Sequence, residues 1–403
     1  MKFKVAIIIF CLSDIVHAAS PQWKEECVGY YKMEMPANLE VALYPIDGVL
    51  NTQKRPQEND GRERGYFAPR ITFGEYGLGM ENPDSSQAQF SVFKYAGYKI
   101  SISTKNKETI DFDKYKNKIE EIIDVQYKAW IQQLMLENPE IAMTESKIDT
   151  KSRYKIKKYT NAFSLNKLKY YELHFNIANR LYIFRPKAVP QLEKNKAESV
   201  DEASQIMEPV IQSLIKRFHS RELYEVPAEQ GFCLPYGFVA GDSGQEPHEI
   251  GVTYRLIDHP DVTIFFRALG VNEEVLTDEG SIKEAVTKMW NQSYLMGADK
   301  KEMLSPKWQR IEMDGREGMA TYVKATYNNF PTYDYAGHVT EYNNYINYGY
   351  LAYIRGDKNT RNKEPGLLLY VSQFGHQAKN KQPMDKDELF KIAEHITRTV
   401  QRR

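Results

Sequence analysis

Gly241-Asp242-Ser243-Gly244 is the stretch of this sequence closest to reactive chemistry, a serine set among turn-forming glycines as in loops that present a nucleophile. Such a serine is useful only with a histidine base in hydrogen-bond reach and a carboxylate to orient that base. Upstream, past the N-terminal segment, stand His174, in an alternating strand pattern, and His219, at the end of a helical one. Neither lies in a loop suited to a base, so the four residues read as a turn after a strand. His248 and His259 have no companions at metal-ligand spacing, and Asp258-His259-Pro260-Asp261 reads as another turn. No Gly-x-Ser-x-Gly elbow, phosphate loop or dinucleotide fingerprint occurs. The expectation is no enzyme: no catalytic residue, no metal and no cofactor.

The cysteines carry a different kind of chemistry. Lys2 and Lys4, the apolar run Val5 to Leu12 and the small-residue site Val16-His17-Ala18 make residues 1–18 a signal peptide, which places the mature chain in the periplasm. Its removal takes Cys11 with it and leaves Cys27 and Cys233 in an oxidising compartment. Two thiols alone cannot hold zinc. They read as a disulfide, the alternative being two separately buried thiols.

A third group of residues is suited to contact. Phe330, Tyr333, Tyr335, Tyr342 and Tyr345 are interleaved with Asn328, Asn329, Asn343, Asn344 and Asn347. Tyrosine supplies rigid amphipathic area and asparagine adaptable hydrogen bonds, the combination found in paratopes. The stretch reads as a loop between strands at Met319–Thr326 and Tyr348–Arg355, either packed on itself or offered to a partner.

The elements that must position these groups follow from periodicity. Strands are expected at Cys27–Pro36, Leu39–Ile46, Ile71–Tyr76, Phe90–Phe93 and Tyr98–Ser103. A helix capped by Asp111 follows, its stripe Tyr115, Ile119, Ile122, Ile123, Trp130, Ile131 and Leu134 read as core. After a basic, strand-like region from Lys151 to Lys187 comes a capping box at Ser199 and Glu202, opening a helix that Pro209 should kink or split. The order then repeats: strands at Phe232–Ala240, Gly251–Ile257 and Val262–Ala268, a helix capped by Ser281 with Glu284, more strands, and a closing helix from Asp385. This predicts an α+β protein of two similar domains, 19–225 and 226–403, each a mainly antiparallel sheet with two packed helices. A length of 403 residues suits two cores. A formal net charge of zero speaks against nucleic acid as partner, and no apolar run of about 20 residues follows the N-terminal segment.

Two stretches carry a family resemblance. Cys27-Val28-Gly29-Tyr30-Tyr31-Lys32-Met33-Glu34-Met35-Pro36 is similar to the opening of the Tli4 family, the immunity proteins of type VI secretion lipase effectors, although that family usually has Arg where Tyr30 stands. Gly231 to Asp242, continuing through Ser243–Arg255, resembles the start of the family's C-terminal domain. The resemblance implies a periplasmic, two-domain, non-catalytic protein that binds a cognate phospholipase toxin one-to-one and blocks it. Competing readings are a periplasmic ligand- or lipid-binding protein that uses the basic strands, and an envelope serine hydrolase that uses Ser243.

Overall fold

The computed structural model describes residues 22–46, 71–74, 87–88, 91–270, 281–290, 298–333, 338–357, 359–378 and 382–403. The expected signal segment 1–18 lies outside the described residues. The chain opens with β1 (Trp23–Val28), β2 (Tyr31–Pro36) and β3 (Leu39–Val41), then β4 (Ile71–Thr72) and β5 (Gln87–Ala88). Next come β6 (Val92–Tyr95) and β7 (Tyr98–Ile102), followed by helices α1 (Phe112–Glu137) and α2 (Pro139–Glu145). β8 (Tyr154–Lys158), β9 (Ala162–Lys167), β10 (Tyr171–Ile177) and β11 (Arg180–Pro186) precede α3 (Pro190–Asn195) and α4 (Val200–Arg217). A short sheet of β12 (Phe218–Ser220), β13 (Gly231–Leu234) and β14 (Gly237–Ala240) stands between the halves. The second half runs β15 (His248–Leu256), β16 (Val262–Leu269), α5 (Ile282–Met289), β17 (Lys300–Met303), β18 (Gln309–Met313), β19 (Arg316–Tyr333), β20 (Val339–Ile354), β21 (Gly366–Gln373), α6 (Lys386–Thr399) and β22 (Gln401–Arg402).

The protein is α+β, built on one antiparallel sheet whose main path is β17-β19-β20-β21-β16-β15-β6-β7-β11-β10-β9-β8. Both halves follow the same plan. Two strands precede a helix, further strands return in reversed order beside the second of the pair, and a capped helix closes each unit. The two units are hydrogen-bonded to each other through β6 and β15, their equivalent first strands. β3 extends the same edge of β15, with Tyr254 opposite Val41 and Leu256 opposite Leu39.

Alternation along the strands sends successive side chains to opposite faces. On one face Tyr182, Phe184, Ile264, Phe266 and Tyr350 meet Met207, Ile211 and Leu214 of α4 and Leu389, Ile392 and Ile396 of α6 in a single core. On the other face the cover is divided. α1 lies over Phe163, Leu165, Leu181 and Ile183, and α5 lies over Phe265, Val323, Leu351 and Tyr370. The helix starts follow the expected chemistry. Asp111, Ser199 and Asp385 each accept a backbone N–H in the first turn, and Ser281 and Glu284 form a reciprocal capping box.

Several expectations are corrected. Cys27–Pro36 is not one strand: Gly29 at φ 62° turns the chain, and β1 pairs back on β2. Of the strand expected at Leu39–Ile46 only Leu39–Val41 forms and pairs with β15, while Leu43 and Tyr44 make isolated bridges to Thr72 and Ser103. Pro209 neither ends nor splits α4, which runs unbroken from Val200 to Arg217. The stripe of α1 is core only at Tyr115, Ile119 and Ile123; Trp130 is 43% exposed and Leu136 88% exposed, since the helix outruns the sheet beneath it. The basic strand β8 is a solvated edge, with Lys155, Lys157 and Lys158 paired to Asp201, Glu208 and Asp113.

Candidate partner-binding surface

Where the halves meet, Cys27 and Cys233 are joined, their Cα atoms 5.9 Å apart across a sequence separation of 206. Gly29 and Cys233 exchange backbone hydrogen bonds at 2.8 and 2.9 Å beside the bridge. Glu222 to Gln230 reads in sequence as a linker, yet the start of that stretch is pinned here. The buried Arg221 guanidinium bonds Glu26 and donates to the carbonyls of Cys27 and Leu234, and the Tyr224 hydroxyl donates to Pro36 O. Burial lowers the affinity of an arginine for its proton, but Glu26 outweighs it and holds Arg221 charged.

The serine turn is part of the same junction. Asp242 Oδ2 accepts from the hydroxyls of Tyr30 and Tyr95, each at 2.8 Å, and its Oδ1 accepts from Gly244 N–H at 2.9 Å. Burial, with the Asp242 carboxylate alongside, pushes both phenols far above the tyrosine range. Ser243 Oγ donates to Glu246 Oε1 at 3.0 Å and accepts from Gln245 N–H. The nearest histidine in sequence, His248, turns Nδ1 to Glu246 O at 2.8 Å and stacks edge-on against Tyr30 and Phe232. The carboxylate that would orient a base instead ties the β1–β2 turn and β6 to this turn.

The tyrosine- and asparagine-rich stretch is not a loop. β19 and β20 pair continuously from Met319/Tyr353 to Tyr333/Val339, while their neighbours stop early: β17 reaches Thr326 and β21 begins opposite Gly349. The residues beyond form a two-stranded ribbon that runs about 20 Å past the sheet, six residues at about 3.3 Å each. Its base is an aromatic cluster. Tyr327 stacks on Tyr345 with centroids 4.6 Å apart, and Phe330 and His376 meet Tyr345 at 5.7 and 5.2 Å. Burial pushes the Tyr345 phenol up to about 12.

A β-bulge lies just above this cluster. Asn328 and Asn329 together oppose Asn344, and Asn329 takes φ 50°, a left-handed conformation that asparagine tolerates. Asp299 accepts the Asn328 N–H at 2.6 Å and Asn344 Oδ1 accepts the Asn329 N–H at 2.7 Å. Past the bulge the ribbon turns outward. Tyr342 is 65% exposed, with Val339, Ile346 and Phe330 also exposed.

The structure thus brings Phe330, Tyr342 and Tyr345 onto one element. Tyr333 lies in β19, and Tyr335 lies outside the described residues. Tyr327, Ile346 and the bulge were missed by sequence reasoning. The Asn328-Asn329 pair was the available signal, because consecutive asparagines in a strand pattern mark a position that must leave the β region.

Residues 225–403 match a family model described as the Tle cognate immunity protein 4 C-terminal domain. The second half of this chain is similar to that family over these residues. The fold of the whole chain is shared with solved immunity-protein structures. Immunity protein TplEi of T6SS from Pseudomonas aeruginosa, solved in complex with an "L" peptide, is 12% identical with a TM-score of 0.50, over 94% of this chain and 98% of that one. A chain of the Tle4-Tli4 complex is 14% identical with a TM-score of 0.50, over 94% and 97%. No curated protein matches the sequence. The family match over residues 225–403 and the fold shared along the chain agree with the resemblance at Cys27–Pro36 and Gly231–Arg255.

Proposed function

We propose that this protein is a periplasmic immunity protein that binds a type VI secretion phospholipase or lipase effector and blocks it without chemistry of its own. The observation that carries the reading is the match of residues 225–403 to the immunity family. The local chemistry supports it. At the serine turn, hydroxyl and carboxylate are committed to Glu246, Tyr30 and Tyr95, an arrangement that holds strands together. The disulfide suits an oxidising compartment, and no helix among the described residues is long and apolar enough to cross a membrane.

An inhibitor must present a preorganised surface. Here the halves 19–225 and 226–403 act as two lobes held by one sheet and one covalent bond, and the ribbon of β19 and β20 supplies the exposed aromatic contact through Phe330 and Tyr342. The test mixes the purified protein with the lipase encoded beside its gene. A one-to-one complex and loss of phospholipid hydrolysis are expected, whereas full hydrolysis at saturating protein would overturn the reading. Tyr342→Ala should weaken the complex by about 1–3 kcal/mol with an unchanged melting temperature, the behaviour of an exposed aromatic hot spot.

A further inference from the structure

The two edges of the projecting ribbon are finished differently, and the difference points to how a partner is held. Asp299 N–H donates to Thr326 O and Leu304 N–H donates to Tyr322 O, so even-numbered residues of β19 turn their backbone groups toward β17. Odd-numbered residues then bond β20, in the pairs Val323/Gly349, Ala325/Asn347 and Tyr327/Tyr345. It follows that the even-numbered residues of β20 direct N–H and C=O away from β19. From Ile354 down to Tyr350 those groups meet β21. Next to Asn347 the turn after β21 closes the sheet, with Gly375 N–H donating to Asn347 Oδ1 at 2.8 Å. That turn also lies against Ile346 O, and past it Asn344 and Tyr342 face outward on an edge with no strand beside it among the described residues.

The outer strands of the main sheet, β8 and β17, carry Lys155, Lys157 and Lys158, and Lys300 and Lys301, the charges that deter edge pairing. The opposite edge of the ribbon is bulged, and its Asn328 and Asn329 N–H groups are consumed by Asp299 and Asn344. Between Tyr342 and Ile346 there is no proline and no charge, and the extra residue of the bulge opposite Asn344 lies on β19. Lysine guards against its own copies elsewhere, together with an open, uncharged edge here, fit a different chain as occupant.

We propose that the β20 edge at Tyr342 and Asn344 binds an extended segment of the partner protein by strand addition. Main-chain hydrogen bonds to Tyr342 and Asn344 hold the segment, and the exposed Tyr342 and Ile346 side chains flank it. This rests on the immunity reading and names the mode of contact.

The test uses the full chain and the lipase encoded beside its gene. Tyr342→Pro removes an outward N–H that β19 does not use, whereas Tyr342→Ala keeps that N–H and removes only the ring. Strand addition predicts that the proline variant binds at least about tenfold more weakly than the alanine variant, one backbone hydrogen bond plus the obstruction of its neighbours. It also predicts that amide exchange at Tyr342 and Asn344 in the unsubstituted protein slows on complex formation, a readout independent of how the variants fold. Equal binding by the two variants, with unchanged exchange at these amides, overturns the proposal while leaving the immunity reading standing. No complex with unsubstituted protein overturns both. A dimer of the unsubstituted protein that Tyr342→Pro dissolves assigns the edge to a second copy and overturns the proposal.

Discussion

At the scale of single residues, the buried polar groups of the junction set the sharpest expectations. His248 is buried, and desolvation, its largest cause, lowers its pKa to about 4. The folded value thus lies below the unfolded value of roughly 6.5, and the unfolded chain binds more protons between the two. Stability from this group is complete above about pH 6.5 and falls as pH drops toward 4, by up to roughly 3 kcal/mol. Urea unfolding at a series of pH values should show this slope, and His248→Gln should flatten it. Arg221 and Glu26 form a buried pair. Arg221→Met leaves the carboxylate buried and unpaired and should cost about 3–5 kcal/mol in the same assay. Neither role was legible in the sequence. His248 was noted only for lacking metal-ligand companions, and Arg221 sits in what read as the approach to a linker. Their partners lie in distant segments, Glu26 being 195 positions away from Arg221.

At the scale of elements, helix starts were legible and strand ends were not. Capping is local chemistry: Asp385 accepts the N–H groups of Asp387 and Glu388, two and three residues on, so the sequence displays donor and acceptor together. Asp385→Ala should destabilise α6 by about 1 kcal/mol, read as a lower denaturation midpoint with unchanged slope. The ribbon is the opposite case. Its tyrosines and asparagines look like a loop because the β pattern depends on burial, and beyond Tyr327 and Tyr345 there is no core to bury against. Cross-strand pairing sustains the strands there without the alternation that would announce them. Likewise the stripe of α1 predicted a buried face along its whole length, but the sheet beneath ends before the helix does, and Trp130 and Leu136 stand in solvent.

At the scale of the whole molecule, the disulfide and the shared sheet tie first half to second. Closing a span of 206 positions should stabilise the fold by up to about 5 kcal/mol through restriction of the unfolded chain. A Cys27→Ser, Cys233→Ser variant should therefore lose stability on that order in denaturant, and an unchanged midpoint would remove the bridge from the account.

The sequence by itself determined the α+β class, the repeated order of strands and helices and the helix caps, and it marked Cys27 and Cys233 as a candidate pair, because each is written in local period or in composition. Only the tertiary structure decided that β6 and β15 fuse the halves into one sheet, that Asp242 serves two tyrosines, and that the aromatic stretch is a ribbon with one open edge. Those outcomes depend on which distant backbone groups find each other, and no local pattern encodes the distance between residues far apart along the chain.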